Sequence, residues 1–255
     1  MTQTIGFIGS GAIGGNLARL AAAAGYDVIL SNSRGPDTLA EFVAELGPHA
    51  RAATPEEAAG AADLVVAAVQ FRFHDKLPAD ALAGKIVIDT MNYFPEFDGI
   101  FADLDARQLT SSERVQRHLA RSRVVKALNN LDSVRLYTTA RPAGDPQRST
   151  LALTGDDAEA KRKVAQFMDA IGYDPLDIGT LADSWKHEAG TPVNVLPYIP
   201  PVPAGLTLEQ HQHWWRTAPG AHVSADRVKE LVGQAVRSGR VGGSSEDWRG
   251  IFPGL

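Results

Sequence analysis

The stretch Thr4-Ile5-Gly6-Phe7-Ile8-Gly9-Ser10-Gly11-Ala12-Ile13-Gly14 decides the fold. Ile5 to Ile8 is a short apolar run that reads as a buried strand. It opens directly into G-x-G-x-x-G at Gly9, Gly11 and Gly14. Ile13, Leu17, Leu20 and Ala24 then recur at helical spacing. Strand, glycine turn and helix in that order form a dinucleotide fingerprint. Gly9 makes the tight turn, Gly11 lets the backbone approach a pyrophosphate, and Gly14 lets helix and strand pack closely. The helix N-terminus offers unpaired N–H groups and the positive end of its dipole to the phosphates. A glycine turn with a purely structural role is the bland alternative.

The next strand, Tyr26 to Leu30, bears on the choice of cofactor. Folds specific for NAD usually place Asp or Glu at its end, about 20 residues past the glycines, to hold the ribose 2′-hydroxyl. Here the strand ends in Ser31-Asn32-Ser33-Arg34-Gly35-Pro36. Hydroxyls and a guanidinium suit a 2′-phosphate, which a carboxylate would repel. The reading is NADP(H), with an ordinary solvated Arg34 as the alternative.

Further on, Pro36 suits the first turn of a helix carrying Leu39, Phe42, Val43 and Leu46. A short strand near Arg51–Ala53 precedes a capping box at Thr54-x-x-Glu57. Apolar strands are expected at Ala62–Val69, Lys85–Asp89 and Arg123–Leu128, as in a parallel sheet covered on both faces. The loop after the fourth strand makes Val69, Gln70 and Phe71 candidates to border the ribose and nicotinamide. His74, in that loop, shows no partner in the sequence and reads as structural. Thr110-Ser111-Ser112-Glu113 caps a helix, and Ser149–Thr154 and Tyr173–Ile178 read as two more strands. Asp156-x-x-Glu159 is expected to cap the helix between them, with Gly172 as its stop, and Leu181–Glu188 to form a short helix. The fold class is α/β: a Rossmann-type, doubly wound, mostly parallel sheet with a mainly helical, proline-rich C-terminal extension. Residues 1–140 are expected to form the NADP-binding domain and 141–255 a smaller substrate-side region.

From Thr191, five prolines between Pro192 and Pro203 give an extended segment unable to join a central strand. It reads as a linker, an arm or a flap. Helices are expected from Thr207 and Ser224, then a Gly/Ser-rich tail from Ser238 to Leu255 anchored by Trp248 and Phe252. His211 and His213 lie two apart on a helix, on different faces, so no metal site is read there. Trp214 and Trp215 read as filling a core or an interface.

Bulk properties exclude other classes. A formal charge of −5 and no Lys/Arg run give no surface for nucleic acid. The chain has no cysteine, which removes disulfides and thiolate chemistry together. No apolar stretch is long enough to span a bilayer and no signal peptide is seen, so a cytoplasmic enzyme is expected. A homodimer is expected as the commonest assembly.

The pieces GFIGSGAIGGNLA, VILSNSRGP, LVVAAVQF, IVIDTMNY and VVKALNN resemble the NADP oxidoreductase family typified by the NADPH-dependent reductase of the deazaflavin coenzyme F420. They cover about the first half of the chain, and ALTGDDAEAKRKVAQFMDAIGYDPLDIG resembles the substrate-side portion more loosely. The resemblance implies that Ser10, Gly11, Ala12 and Ile13 hold the pyrophosphate and that Ser33 and Arg34 contact the 2′-phosphate. It places Val69, Asn92 and Ala127 near the nicotinamide, with coenzyme F420 as co-substrate. The proline-rich segment and the last ~50 residues depart from the pattern. The implied reaction is hydride transfer from nicotinamide C4 to a stacked deazaflavin, which needs no strong general acid. Two other readings stand beside it. One is an NADPH-dependent reductase of a small carbonyl or imine compound, for which Lys126, His187 and Tyr93 are the available proton donors. The other is a non-catalytic NADP-binding sensor module.

Overall fold

The computed structural model describes residues 3–237 and 240–252. Its centre is one eight-stranded sheet: β1 (Thr4–Ile8), β2 (Asp27–Ser31), β3 (Ala50–Ala52), β4 (Leu64–Ala67), β5 (Ile86–Asp89), β6 (Arg123–Ala127), β7 (Thr150–Gly155) and β8 (Asp174–Asp177). The spatial order is β3-β2-β1-β4-β5-β6-β7-β8. The first six strands in the order 3-2-1-4-5-6 are the doubly wound arrangement that the glycine fingerprint predicts. Every neighbouring pair is parallel except β6 with β7. Residues 141–255 supply β7 and β8 to the same sheet.

Among the described residues there are ten α-helices: α1 (Ala12–Ala23), α2 (Ala40–Leu46), α3 (Pro55–Ala61), α4 (Pro95–Asp98), α5 (Ala102–Asp105), α6 (Ser111–His118), α7 (Ser133–Thr138), α8 (Ala158–Ala170), α9 (Leu208–Thr217) and α10 (Ala225–Gly233). The period of two in the strands sorts their side chains between the two faces. Leu64, Val66, Ile86, Ile88 and Val125 pack with Leu17 of α1 on one face. Val65, Ala67, Val87 and Val124 pack with Val115 of α6 on the other. With both faces covered, these strands can be apolar throughout, as the sequence shows.

Capping residues set the starts of several helices. Thr54, Thr110 and Thr207 each form a full capping box with the residue three places on. At α8 the cap is Asp157, which accepts from the Ala160 amide at 2.7 Å, not Asp156 as the pattern predicts. Asp156 instead accepts from the Leu181 amide at 2.9 Å. Leu181–His187 is a 3₁₀ helix, not an α-helix. Its buried residues, Leu181, Ser184 and His187, recur every three positions, the period of that tighter turn.

The proline-rich segment forms no strand among the described residues and contains a 3₁₀ turn at Leu196–Tyr198. It is tied to the end of β6: the Val195 amide donates to the Asn130 carbonyl at 2.7 Å. Val195 holds a positive φ of 55° there, as Leu128 does at 61°. Helix α9 docks through Trp215, whose ring lies 4.2 Å from the guanidinium of the wholly buried Arg135 on α7. Arg135 is also 3.5 Å from Asp132, whose carboxyl burial pushes up. The start of the expected tail, Ser238, lies outside the described residues. Trp248 and Phe252 pack at 5.1 Å, and Phe252 lies 4.2 Å from Trp215. Among the described residues, no helix is long and apolar enough to cross a membrane.

Candidate functional site

The carboxyl ends of β1, β2 and β4 converge on one cleft, and the backbone there is shaped by the glycines. Gly9 has φ +101°, and a Cβ on it would lie 2.3 Å from the Ala68 carbonyl oxygen. A Cβ on Gly14 would lie 1.9 Å from the Gly9 carbonyl oxygen. Both positions therefore exclude any side chain. Gly11 is different, because nothing stands within 4 Å of its missing Cβ. That open space is the approach the fingerprint assigns to a pyrophosphate. Gly11 is also the N-cap of α1, with no side-chain cap and no acid in the first turn. The helix N-terminus is left to a ligand anion.

A cavity of about 450 Å³ opens over this turn. Gly9, Ser10, Gly11, Asn32, Ser33, Arg34, Val69 and Gln70 border it, as does Lys76. Among the described residues no Asp or Glu lines it, and two cations do, Arg34 and Lys76. Lys76 stands 3.6 Å from Asp75, both exposed. The Arg34 amide donates to Asn32 Oδ1 at 2.9 Å, and Asn32 Nδ2 donates to Thr38 Oγ1 at 2.9 Å. This Asx turn fixes the loop while the exposed Arg34 guanidinium makes no hydrogen bond or ion pair among the described residues.

A second cavity of about 280 Å³ adjoins the first, sharing Val69 and Gln70 with it. Ile13, Phe71 and Asn92 also border it, together with Met91, Phe94 and Phe97. The rings of Phe94 and Phe97 lie 6.1 Å apart, and Phe97 is 55% exposed. Asn92 and Asn129 hold each other: Asn92 Nδ2 donates to the Asn129 carbonyl at 2.9 Å, and Asn129 Nδ2 to Asn92 Oδ1 at 3.1 Å. Asn194, from the proline-rich segment, donates to the same Asn129 carbonyl at 3.0 Å.

The remaining expected positions line neither cavity. Ala12 is the exposed first residue of α1, and Gly14 is buried against the turn. Ser31 is wholly buried and its Oγ donates to the Phe7 carbonyl at 2.8 Å. Its own carbonyl accepts from the Gly9 amide at 3.1 Å and Ser10 Oγ at 2.8 Å, so Ser31 shapes the turn from behind. Ala127 is wholly buried in the core and borders neither cavity. Sequence reasoning missed Lys76, Phe94 and Phe97. The signal available was their position in the loops after β4 and β5, on the same edge as Gln70 and Asn92.

None of the three candidate proton donors opens on either cavity. Lys126 is wholly buried, with its ammonium 3.5 Å from Asp89 Oδ2 and donating to the Met91 carbonyl. Asp89 also accepts from Ser112 Oγ at 2.7 Å and from the Met91 amide at 2.9 Å. His187 is wholly buried beside Thr154 Oγ1 at 3.1 Å. Burial, and then the Lys126 charge, push its imidazole down to about 3, so it stays neutral. The Tyr93 hydroxyl donates to the Gly99 carbonyl at 3.1 Å, and burial raises its pKa. His74 is also buried; its Nδ1 lies 2.9 Å from the Phe71 carbonyl and its Nε2 accepts from Arg114 at 3.1 Å. That pattern is a satisfied neutral imidazole, which burial favours.

Comparison with known proteins agrees with this geometry. Residues 4–93 match the family model described as NADP oxidoreductase, coenzyme F420-dependent. A hypothetical protein of Sinorhizobium meliloti with a known crystal structure is 31% identical; the match covers 77% of this chain and 94% of that one, with a TM-score of 0.66. A protein of Arthrobacter sp. FB24, provisionally described as an F420-dependent NADP reductase, is 26% identical over 72% of this chain and 87% of its own, with a TM-score of 0.60. Metalloreductase STEAP3 of Rattus norvegicus is 32% identical over 195 residues, 76% of this chain. The chain spans only 37% of that protein's length.

Proposed function

Because this chain belongs to the family of coenzyme F420-dependent NADP oxidoreductases, we propose that it transfers hydride between NADPH and a planar deazaflavin-type acceptor, coenzyme F420. The observation that carries the cofactor half is the first cavity: two cations and no carboxylate among its described lining residues, and an uncapped helix N-terminus at the end of β1. The fit is direct. Gly9 and Gly11 would take the pyrophosphate, with Ser10 beside them. Asn32, Ser33 and Arg34 would hold the ribose 2′-phosphate, to which the forked guanidinium can make charge-assisted hydrogen bonds. Val69, Gln70 and Asn92 would border the nicotinamide end, where the two cavities meet.

The bound nicotinamide supplies the hydride, and the chain supplies orientation and a dry surface. Phe94 and Phe97 offer aromatic faces on which a flat acceptor stacks, in ring geometries worth about 0.5–1.5 kcal/mol beyond area burial. The balanced reaction takes up one proton as the acceptor accepts hydride. Lys126, His187 and Tyr93 are engaged away from the cleft, so that proton comes from water. That these three candidate donors face away from the cleft supports the deazaflavin acceptor over a carbonyl or imine, whose reduction needs a donor at the reacting atom.

The test is an assay of oxidised F420 with NADPH or NADH, following the deazaflavin's own absorbance. Bleaching with NADPH, and much slower bleaching with NADH, is the expected result. NADPH binding without bleaching would refute the acceptor and redirect the search to carbonyl and imine substrates.

A further inference from the structure

The segment Met91–Phe94 is a wall with two faces. Met91, Asn92 and Phe94 line the acceptor-side cavity, while Tyr93 lines another of about 260 Å³ behind it. This third cavity lies between the start of α6, the exit of the 3₁₀ helix Leu181–His187, and the tail at Gly242. The tail fits there because it lacks side chains: a Cβ on Gly242 would lie 2.8 Å from the Tyr93 ring and one on Gly243 2.4 Å from Phe94.

The charges around this cavity are arranged by sign. Glu188, only 7% exposed, is its single acidic lining residue among the described residues. Glu188 Oε1 accepts from Ser111 Oγ at 2.7 Å and from Ser184 Oγ at 3.1 Å. Both of these bonds end on Oε1, and no hydrogen bond reaches Oε2 among the described residues. Glu188 lines the cavity, and Oε2 is the half of its carboxylate left for a further partner. Two hydroxyls satisfy hydrogen bonding but bring no positive charge, and a mostly buried carboxylate favours a cationic partner.

The remaining charged lining residues among those described are Arg107, Arg237 and Arg240. Arg240 is committed to Asp247 in a two-pronged pair at 2.6 and 2.8 Å. Arg237 donates to the Leu109 carbonyl at 3.2 Å and stands 5.7 Å from the Trp185 ring, with no carboxylate partner among the described residues. The apolar part of the lining comes from Leu104, Leu109 and Trp185, beside the hydroxyls of Thr110, Ser111 and Thr191. The volume is below that of drug-sized pockets, about 300–1,000 Å³, and suits a molecule the size of an amino acid.

We propose that this cavity is a second ligand site, for a small zwitterion with an apolar side chain. The ligand's ammonium meets Glu188 Oε2, its carboxylate meets Arg237, and its side chain lies along Trp185 and Leu109. The site is separate from the dinucleotide cleft and does not depend on the identity of the hydride acceptor.

The test is calorimetric titration of the full chain with three probes: L-leucine, its deaminated analogue 4-methylpentanoate, and its decarboxylated analogue 3-methylbutylamine. Saturable L-leucine binding is expected, with each single-charge analogue at least about tenfold weaker. Glu188→Gln should weaken L-leucine by about 10–100-fold while NADPH titrates as in the wild type. If Glu188→Gln loses NADPH binding as well and is therefore misfolded, Arg237→Gln, a change at an exposed residue, carries the same comparison. No saturable heat with L-leucine up to about 10 mM, an affinity below what even weak specific sites show, would overturn the proposal. So would equal binding of 4-methylpentanoate, or wild-type affinity in a folded Glu188→Gln or Arg237→Gln variant.

Discussion

Gly14, in the first turn of α1, presses against the carbonyl oxygen of Gly9 so closely that a Cβ would stand 1.9 Å from it. Gly9 itself holds φ +101° with the Ala68 carbonyl 2.3 Å from its missing Cβ. The helix is thereby drawn down on the strand end, and only Gly11 faces open space. These glycines therefore do different work, and substitutions separate their roles. Gly14→Ala is expected to destabilise the fold by several kcal/mol, since backbone must move to admit the methyl group. Gly11→Ala is expected to leave stability within about 0.5 kcal/mol of wild type, yet weaken NADPH at least about tenfold by filling the phosphate approach. Urea unfolding and NADPH titration of both variants check this. Equal NADPH affinity in wild type and Gly11→Ala would contradict the placement of the pyrophosphate.

Lys126 and Asp89 form a wholly buried ion pair under the loop that carries Asn92. Lys126→Met leaves the Asp89 carboxylate without its cation, although Ser112 and the Met91 amide still donate to it. Breaking such a pair costs about 3–5 kcal/mol, whereas replacing both partners costs less. Lys126→Met should therefore unfold at much lower urea, and adding Asp89→Asn should restore part of the loss. A Lys126→Met variant within about 1 kcal/mol of wild type would show that the pair carries little of the fold.

His187 ties stability to acid. The unfolded chain takes up this proton near the ordinary 6.5, while the folded state resists it down to about 3. The contribution is fully present above 6.5 and is lost as pH falls toward that lower value. The slope is at most ~1.4 kcal/mol per pH unit for one proton. His187→Gln should flatten the fall in unfolding free energy between about pH 6 and pH 4 by up to that amount. His74, also lowered by burial, keeps its own share of the slope. Parallel wild-type and variant curves over that range would contradict the assignment.

The fold was legible because its signals are local. Ile5–Ile8 with Gly9, Gly11 and Gly14 specify strand, turn and helix, and the apolar strands and threonine caps mark most later elements. What escaped depends on contacts between distant residues. A strand lysine such as Lys126 gives no sign that Asp89, 37 residues away, will partner it. Ser31 reads as a phosphate contact by position, yet the inward face of β2 turns its hydroxyl to Phe7. Asp157 caps α8 because Asp156 is held by Leu181, a contact no short motif records. In the cleft, the glycines and Arg34 could be read from spacing, whereas Lys76 and Phe97 needed the loops after β4 and β5 to be folded beside them.

The central claim is that Arg34 at the end of β2 makes this cleft an NADPH site, and binding tests it most directly. NADPH and NADH are titrated against wild type and Arg34→Ala. NADPH should bind the wild type well ahead of NADH, and Arg34→Ala should weaken NADPH by about 10–100-fold, the worth of hydrogen bonds to a charged group, while leaving NADH unchanged. Equal affinity of the wild type for the two cofactors, or an Arg34→Ala variant that still prefers NADPH to the same degree, would contradict the account.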